Sequence, residues 1–491
     1  MAVTRRTFVV GGTSVLATML AACGGSTETT DATTTEEVAT DAGSEATENA
    51  DGSYEVTFGA TVTDAGEYVD RMMIDYGDGT ITGVADDTYT VYMTSTVDYG
   101  EAKGQPYAYY DASVPLEVVK TETDGGKVTV YFNQAQAPVL TWLAEARNYP
   151  AVLAFTIEQA GDLTLSAKDG RELPIKGTYT CSATSYADLD DPEIAVFEDV
   201  QDEVNYRLYK GSNDKLIVWF HGNGEGDLPV KDTNNNIVQL LGNRGGVAWI
   251  TDEAKTVFGD ASVMAFQAPS MWYLAKKDNL LEPCYNEIQQ VIKDNNINPD
   301  EVYVSGCSAG GFMTTRMIIA YPDLFKAAMI NCPALDAANT RSETDDACPT
   351  DEELASLKDA KTAIWLVQGE TDSSVDPELC SKRIWAIITD GEDVTETTFE
   401  GADGIASAFT TSETADGRYK LSLYETCDLA EVEGITGEKR QGGKIKCAED
   451  YNMDGELEEV KYNDHWTWVF TLRNNPEAAD GTHIWEWAAG V

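Results

Sequence analysis

The chain has 491 residues, with 84 acidic side chains against 34 basic ones and a formal net charge of −50 at pH 7. That length is enough for two or three domains with sizeable cores. The charge excludes nucleic-acid or anionic-membrane binding through a basic face and implies a heavily solvated acidic surface.

The N-terminus reads as a targeting segment, to be kept out of the fold. Arg5 and Arg6 precede an apolar run from Phe8 to Leu20, and Leu20-Ala21-Ala22-Cys23 closes it. The paired arginines resemble a twin-arginine export signal. The closing tetrapeptide resembles a bacterial lipoprotein cleavage box with Cys23 as the lipidated residue. The expected address is therefore the cell surface, with a lipid on Cys23 as the membrane anchor. Residues 24–53 are rich in Thr, Ala, Glu and Asp and hold no Lys, Arg or aromatic residue. They read as a disordered tether.

From 54 to 190 the pattern alternates with period two. Segments such as YEVTFGATV, YVDRMMIDY, TYTVYMTSTV and GKVTVYFNQ are divided by Gly/Asp turns such as DYGDGT. Short strands at such intervals predict an all-β, immunoglobulin-like sandwich. After the acidic linker ADLDDPE, residues 195–491 change character. KLIVWF, ASVMAFQ, EVYVSG, KAAMIN and TAIWLVQ are continuous apolar strands. YNEIQQVIKD, GFMTTRMIIAY, DEELASLKDA and PELCSKRIWAIIT read as the helices between them. That predicts an α/β domain with a mainly parallel sheet and flanking helices.

Within it, VSGCSAGGFM places Ser308 in a G-x-S-x-G turn between a strand and a helix, the setting of an exposed nucleophile. A serine nucleophile needs a base and a carboxylate to orient that base. The chain has three histidines. In the order serine, acid, histidine, His221 is excluded as base. His465, in YNDHWTW, is favoured, with His483, in GTHIWEWAAG, the alternative. The acid is expected just past the strand in AIWLVQGETDSSVDPE, which offers Glu370, Asp372 and Asp376. Asp372 is favoured, because Asp376 before Pro377 reads as an N-cap. His221-Gly222-Asn223-Gly224-Glu225 follows a strand and can turn its backbone N–H groups toward one point. The oxyanion donors are then the N–H groups of Asn223 and Ala309, with His221, Gly222, Gly224 and Glu225 supporting the loop.

These motifs resemble the α/β-hydrolase superfamily. The likeness is to exported esterases with an Ig-like leader and a catalytic domain related to prolyl-oligopeptidase-like and polyhydroxybutyrate-depolymerase-like proteins. FHGNGEG, GCSAGGFM, QGETDSSVDP and HWTWVF with HIWEWAAG carry it. The resemblance implies an α/β-hydrolase fold, a Ser-His-Asp acyl-enzyme mechanism on a small-molecule ester, no cofactor and no metal. A prolyl-oligopeptidase-like serine peptidase is the second reading, and a catalytically inactive binding or adhesion lipoprotein the third. About ninety residues separate Asp372 from His465, which suggests an insertion at about 400–460 overhanging the site. Its aromatics Phe409, Tyr419 and Tyr424 would then suit an apolar acyl group. Inside it, DYNMDGELEEVK resembles a calcium loop, but Lys461 stands where a bidentate acid belongs. Cys332 with Cys348, and Cys427 with Cys447, are the sequence-near disulfide candidates. Cys307 reads as a buried thiol.

Overall fold

A computed structural model describes residues 48–49, 52–96, 113–133, 137–143, 147–227, 236–401, 407–425, 431–433, 439–441 and 464–491. The targeting segment and the tether expected at 1–23 and 24–53 lie almost wholly outside these residues. Residues 44–491 make one compact unit.

The N-terminal strands arise where the alternation predicts them. Tyr54–Thr63 turns its even-numbered residues Tyr54, Val56 and Phe58 inward and pairs antiparallel with Gly66–Asp75. Lys127–Phe132 and Val118–Asp124 follow in the same sheet, and Tyr179–Thr180 adds a short parallel edge. Gly79–Thr82, Leu163–Ala167 and Glu172–Ile175 form a three-stranded sheet. Two further pairs join Tyr89–Thr96 to Val152–Gln159 and Leu140–Leu143 to Arg147–Pro150. Phe58, Met72, Val91, Val130 and Leu165 share a core of their own. The region is thus mostly β. The acidic linker is folded onto it. Asp191 accepts the N–H groups of Glu193 and Ile194 and caps the short helix Pro192–Ala195, with proline at the first helical position.

Beyond the linker lies a ten-stranded sheet. Its spatial order is Glu198–Val200, Tyr206–Tyr209, Ser262–Phe266, Leu216–Phe220, Val302–Cys307, Ala327–Asn331, Ala363–Gly369, Tyr419–Tyr424, Phe409–Thr414 and Val394–Phe399. The six strands from Ser262–Phe266 to Tyr419–Tyr424 run parallel, and antiparallel strands close both edges. The central strands are buried on both faces, which is why they read as unbroken apolar runs. Alternation divides them between two cores. Leu216, Val218 and Phe220 pack with Ile288 of helix Leu281–Asp294 and Phe312 of helix Ala309–Ala320. Ile217 and Trp219 pack on the other face with Trp249 and with Trp485 of the terminal helix Ile484–Gly490.

Within the insertion expected at about 400–460, the structure corrects residues 407–425, and most of 426–460 lies outside the described residues. Phe409–Thr414 and Tyr419–Tyr424 belong to the main sheet, and Tyr419–Tyr424 lies parallel beside the strand Ala363–Gly369. Phe409, Tyr419 and Tyr424 are 1%, 6% and 0% exposed, so they fill the core instead of lining an acyl cavity. The alternation in FTTSET and YKLSLY about a Gly417 turn is the physical signal for this hairpin. The calcium-like segment 450–461 and the cysteines Cys427 and Cys447 lie outside the described residues. Neither Cys332 nor Cys348 forms a disulfide, so the bond expected between them is absent. Cys332 is buried at a strand end, and Cys348 accepts from the Arg383 guanidinium at 3.5 Å.

The start of helix Ala309–Ala320 is pressed against the end of the strand Leu216–Phe220. A Cβ on Gly310 would lie 1.9 Å from the Phe220 carbonyl oxygen and 2.5 Å from that of His221. Backbone on both sides leaves nothing flexible to yield. Gly310→Ala is expected to destabilise the protein by upwards of about 3 kcal/mol or to prevent folding. Urea unfolding of the purified variant measures this, and a midpoint equal to wild type would contradict the packing described.

Candidate active site

Ser308 joins the strand Val302–Cys307 to the helix Ala309–Ala320. Its backbone sits at φ 54°, ψ −116°, outside the regions a serine ordinarily occupies. Three hydrogen bonds hold it there. The Ser308 N–H donates to Asn331 O (3.0 Å), and Ser308 O accepts from Phe312 N–H (3.0 Å) and Ala334 N–H (3.1 Å). The turn closes because Gly306 has no Cβ, which would come 2.5 Å from Gly310 O. This is the strained strand–turn–helix that lifts a hydroxyl above the carboxyl end of a parallel sheet.

The hydroxyl meets His465. Ser308 Oγ lies 3.0 Å from His465 Nε2, and His465 Nδ1 lies 2.8 Å from Asp372 Oδ2. The Asp372 side chain is fully buried and its acceptors are well used. Oδ1 takes the N–H groups of Ser374 and Val375 at 2.9 Å each, and Oδ2 also faces Gln368 Nε2 at 3.3 Å. Burial pushes the Asp372 carboxyl up, but His465 and the two backbone donors outweigh it and hold it below the usual carboxylate range. An ionised Asp372 fixes the Nδ1–H tautomer and leaves the Nε2 lone pair facing the serine. In this arrangement a serine proton can pass to the imidazole while the carboxylate stabilises the resulting cation.

Position in the fold explains the reach across 93 residues of sequence. Asp372 follows the strand Ala363–Gly369, two places along the sheet from the strand that precedes Ser308. Gly369 admits the histidine segment, since a Cβ there would meet Asp464 O at 2.4 Å. The Thr371 hydroxyl donates to Asp464 Oδ2 and ties the same two segments. The His465 ring packs edge-on against Trp468, with centroids 5.3 Å apart. The alternatives stand elsewhere. Asp376 accepts Glu378 N–H in a turn before the helix Ser381–Ile388, and His483 opens the terminal helix with Nδ1 on Asn474 O.

Gly222 abuts the residue before the serine, and a Cβ on it would lie 3.5 Å from Cys307 Sγ. Asn223–Glu225 is a 3-10 turn, and Ala309 is the first residue of its helix, where N–H groups have no intrahelical acceptor. His221 is fully buried. Its Nε2 accepts Ala268 N–H at 2.9 Å and its Nδ1 faces Gly222 O at 2.6 Å. Burial lowers its pKa to about 3, so it stays neutral. It braces the loop.

Sequence reasoning missed what holds Glu225. Asn148, from the N-terminal β region, donates to Glu225 Oε1 at 3.2 Å, and Gln267 Nε2 donates to Glu225 O at 2.6 Å. Arg147 reaches Ser270 O and adds its charge beside Glu225. Burial raises the Glu225 carboxyl, and these neighbours only partly offset the rise. Nothing in the local pattern of ARNYP marks it as a partner of a loop some 75 residues on. Cys332 was missed as well; its thiol falls beside Asp372 and His465.

Residues 269–413, which carry Ser308 and Asp372, match the prolyl oligopeptidase family. No curated protein matches the chain in sequence. Among solved structures, a thermostable esterase is similar over 86% of this chain and 96% of its own, with a TM-score of 0.55 and 18% identity. An acetyl xylan esterase from Aspergillus awamori (TM-score 0.33, 18% identity, 46% of this chain and 91% of that one) is a more distant likeness. So is an acylaminoacyl peptidase from Pyrococcus horikoshii (TM-score 0.31, 12% identity, 68% and 64%). Those two scores are too low to bear on the fold. The ten-stranded sheet, the turn at Ser308 and the first of these structures agree on one conclusion. The protein has the α/β-hydrolase fold, and its site is of the serine-hydrolase type found in esterases and prolyl oligopeptidases.

Proposed function

We propose that the protein is a serine esterase acting on small carboxylic esters. The observation that carries this reading is the hydrogen-bonded series Ser308–His465–Asp372. Ser308 Oγ attacks the acyl carbon while His465 Nε2 takes its proton. The backbone N–H groups of Asn223 and Ala309 receive the oxyanion. His465 then returns the proton to the departing alcohol, and water, activated by the same imidazole, releases the acid. The same groups could serve an amide, but an amine must be protonated as it leaves, and a peptide needs subsites to anchor it. Among the described N-terminal residues, the hairpin of Leu140–Leu143 with Arg147–Pro150 braces the Glu225 loop, an arrangement unlike the repeated four-stranded blades of a propeller. The similarity to the thermostable esterase runs over 86% of this chain and so takes in both regions. An immunoglobulin-like leader and a lipid anchor at Cys23 on the cell surface complete the proposal. They rest on the strand pattern at 54–190 and on the sequence from Arg5 to Cys23.

Ser308→Ala and His465→Ala are each expected to lower kcat/KM by at least about a thousandfold with an unchanged melting curve. Asp372→Asn should cost a similar factor, while Asp376→Asn and His483→Ala should stay within about threefold. Steady-state kinetics on a chromogenic acetate ester measure all five, and a larger loss from Asp376→Asn than from Asp372→Asn would overturn the assignment of the acid.

Short-chain or aromatic esters should turn over at least about a hundredfold faster in kcat/KM than matched amides, a difference of about 2.7 kcal/mol in barrier. A panel of esters, anilides and dipeptides decides this. Efficient cleavage of an unactivated peptide bond beside weak ester turnover would favour the peptidase, and no labelling by a serine-directed phosphonate would favour the inactive binding protein.

Metabolic labelling with a palmitate analogue should mark the wild-type chain in a bacterial host and not Cys23→Ala, which should leave the membrane fraction. Membrane attachment surviving that substitution would remove the lipoprotein reading.

A further inference from the structure

Cys332 follows the strand Ala327–Asn331, which lies in the sheet between the strand leading to Ser308 and the strand leading to Asp372. It is fully buried and forms no disulfide. Its backbone adopts φ 37°, a left-handed conformation uncommon for any residue but glycine, and its N–H is held by Val367 O at 2.8 Å. One ligating atom from each of Cys332, Asp372 and His465 lies within 4.8 Å of the other two. Such thiol, imidazole and carboxylate donors from three adjacent segments make the ligand set of a zinc site with one open position.

We propose that Cys332, Asp372 and His465 form an inhibitory site for a thiophilic divalent cation, of the zinc or cadmium class. Zinc bonds sulfur at about 2.3 Å and nitrogen or oxygen at about 2.0–2.2 Å, which sets tetrahedral ligands about 3.3–3.8 Å apart. The three donors therefore close on an ion with side-chain shifts of about 1 Å. The thiol proton leaves to solvent as the thiolate binds, and water completes the coordination. Nδ1 is the ring nitrogen that faces Asp372, so it is the one the ion takes. Its proton moves to Nε2, which then cannot accept the Ser308 proton, and the 2.8 Å contact that orients the ring is broken. The partly exposed edge of His465 offers the way in, since its side chain is 13% exposed while that of Asp372 is 0%. A hard cation such as magnesium has no use for the sulfur and should not compete. This inference requires the geometry of the three residues and is independent of which acyl bond the site cleaves.

The test uses the purified full chain in chelator-free buffer. Cadmium and zinc should inhibit ester turnover at low micromolar concentration, EDTA should restore it, and magnesium should leave it unchanged. Cys332→Ser and Cys332→Gly should keep metal-free turnover within about threefold of wild type, the glycine variant also relieving the left-handed backbone. Both should need at least about tenfold more cadmium for the same inhibition. In the Ser308→Ala chain, which is without turnover, cadmium should still produce a thiolate-to-metal absorption band that Cys332→Ser removes. That band reads binding alone, so it separates this inference from the assignment of the reaction. Equal metal sensitivity in both Cys332 variants, or a band unchanged by Cys332→Ser, would overturn the proposal and leave Cys332 as a packing residue.

Discussion

The structure of the site depends on one close approach of backbone to backbone. The first turn of helix Ala309–Ala320 lies so near the end of the strand Leu216–Phe220 that the residue at the contact can have no side chain. This contact sets the distance between the turn that carries Ser308 and the loop that begins at His221. A proposed oxyanion site made from one N–H on each side exists only if that spacing holds. The sheet enforces it, since the two strands are hydrogen-bonded neighbours in parallel register from Leu216 with Val302 to Phe220 with Gly306. The chemistry of the site is in this sense a property of strand pairing, with side chains added at the ends.

The second support comes from outside the sheet. The His221–Glu225 loop is held from below by the neutral imidazole of His221 on Ala268 N–H, and from the side by Asn148 on Glu225. A buried carboxylate is costly unless its lone pairs are satisfied. Asn148 and Arg147 add a side-chain donor and a positive charge to the backbone donors that Gly222 and Glu225 give within the loop. The ion pair of Arg473 with Asp64 joins the same two regions elsewhere, with both side chains at least three-quarters buried. The β region is therefore part of the machinery that holds the loop in shape.

Much of this was legible in the residues. The unbroken apolar runs foretold a sheet covered on both faces, and the order of serine, acid and histidine selected His465 and Asp372 from few candidates. The chain has only three histidines, and in the structure each has a separate place: His465 at Ser308, His221 under its loop and His483 at a helix start. Two matters escaped. The hairpin Phe409–Tyr424 falls in the ninety residues between acid and histidine that suggest an overhang, and its alternating strands lack the unbroken apolar run that marks the central ones. Cys332 and Asn148 escaped because their roles depend on tertiary neighbours 40 to 133 residues away in one case and about 77 in the other. No local periodicity encodes such a meeting.

The contact between Asn148 and Glu225 has a consequence for descent. Domains joined by a loose linker can be shuffled, each new leader leaving the enzyme behind it intact. Here a leader hairpin adds a donor to a catalytic-region carboxylate, so a replacement leader would leave that buried acid with only the backbone donors of its own loop. The boundary drawn by composition near residue 190 therefore does not separate two independent pieces.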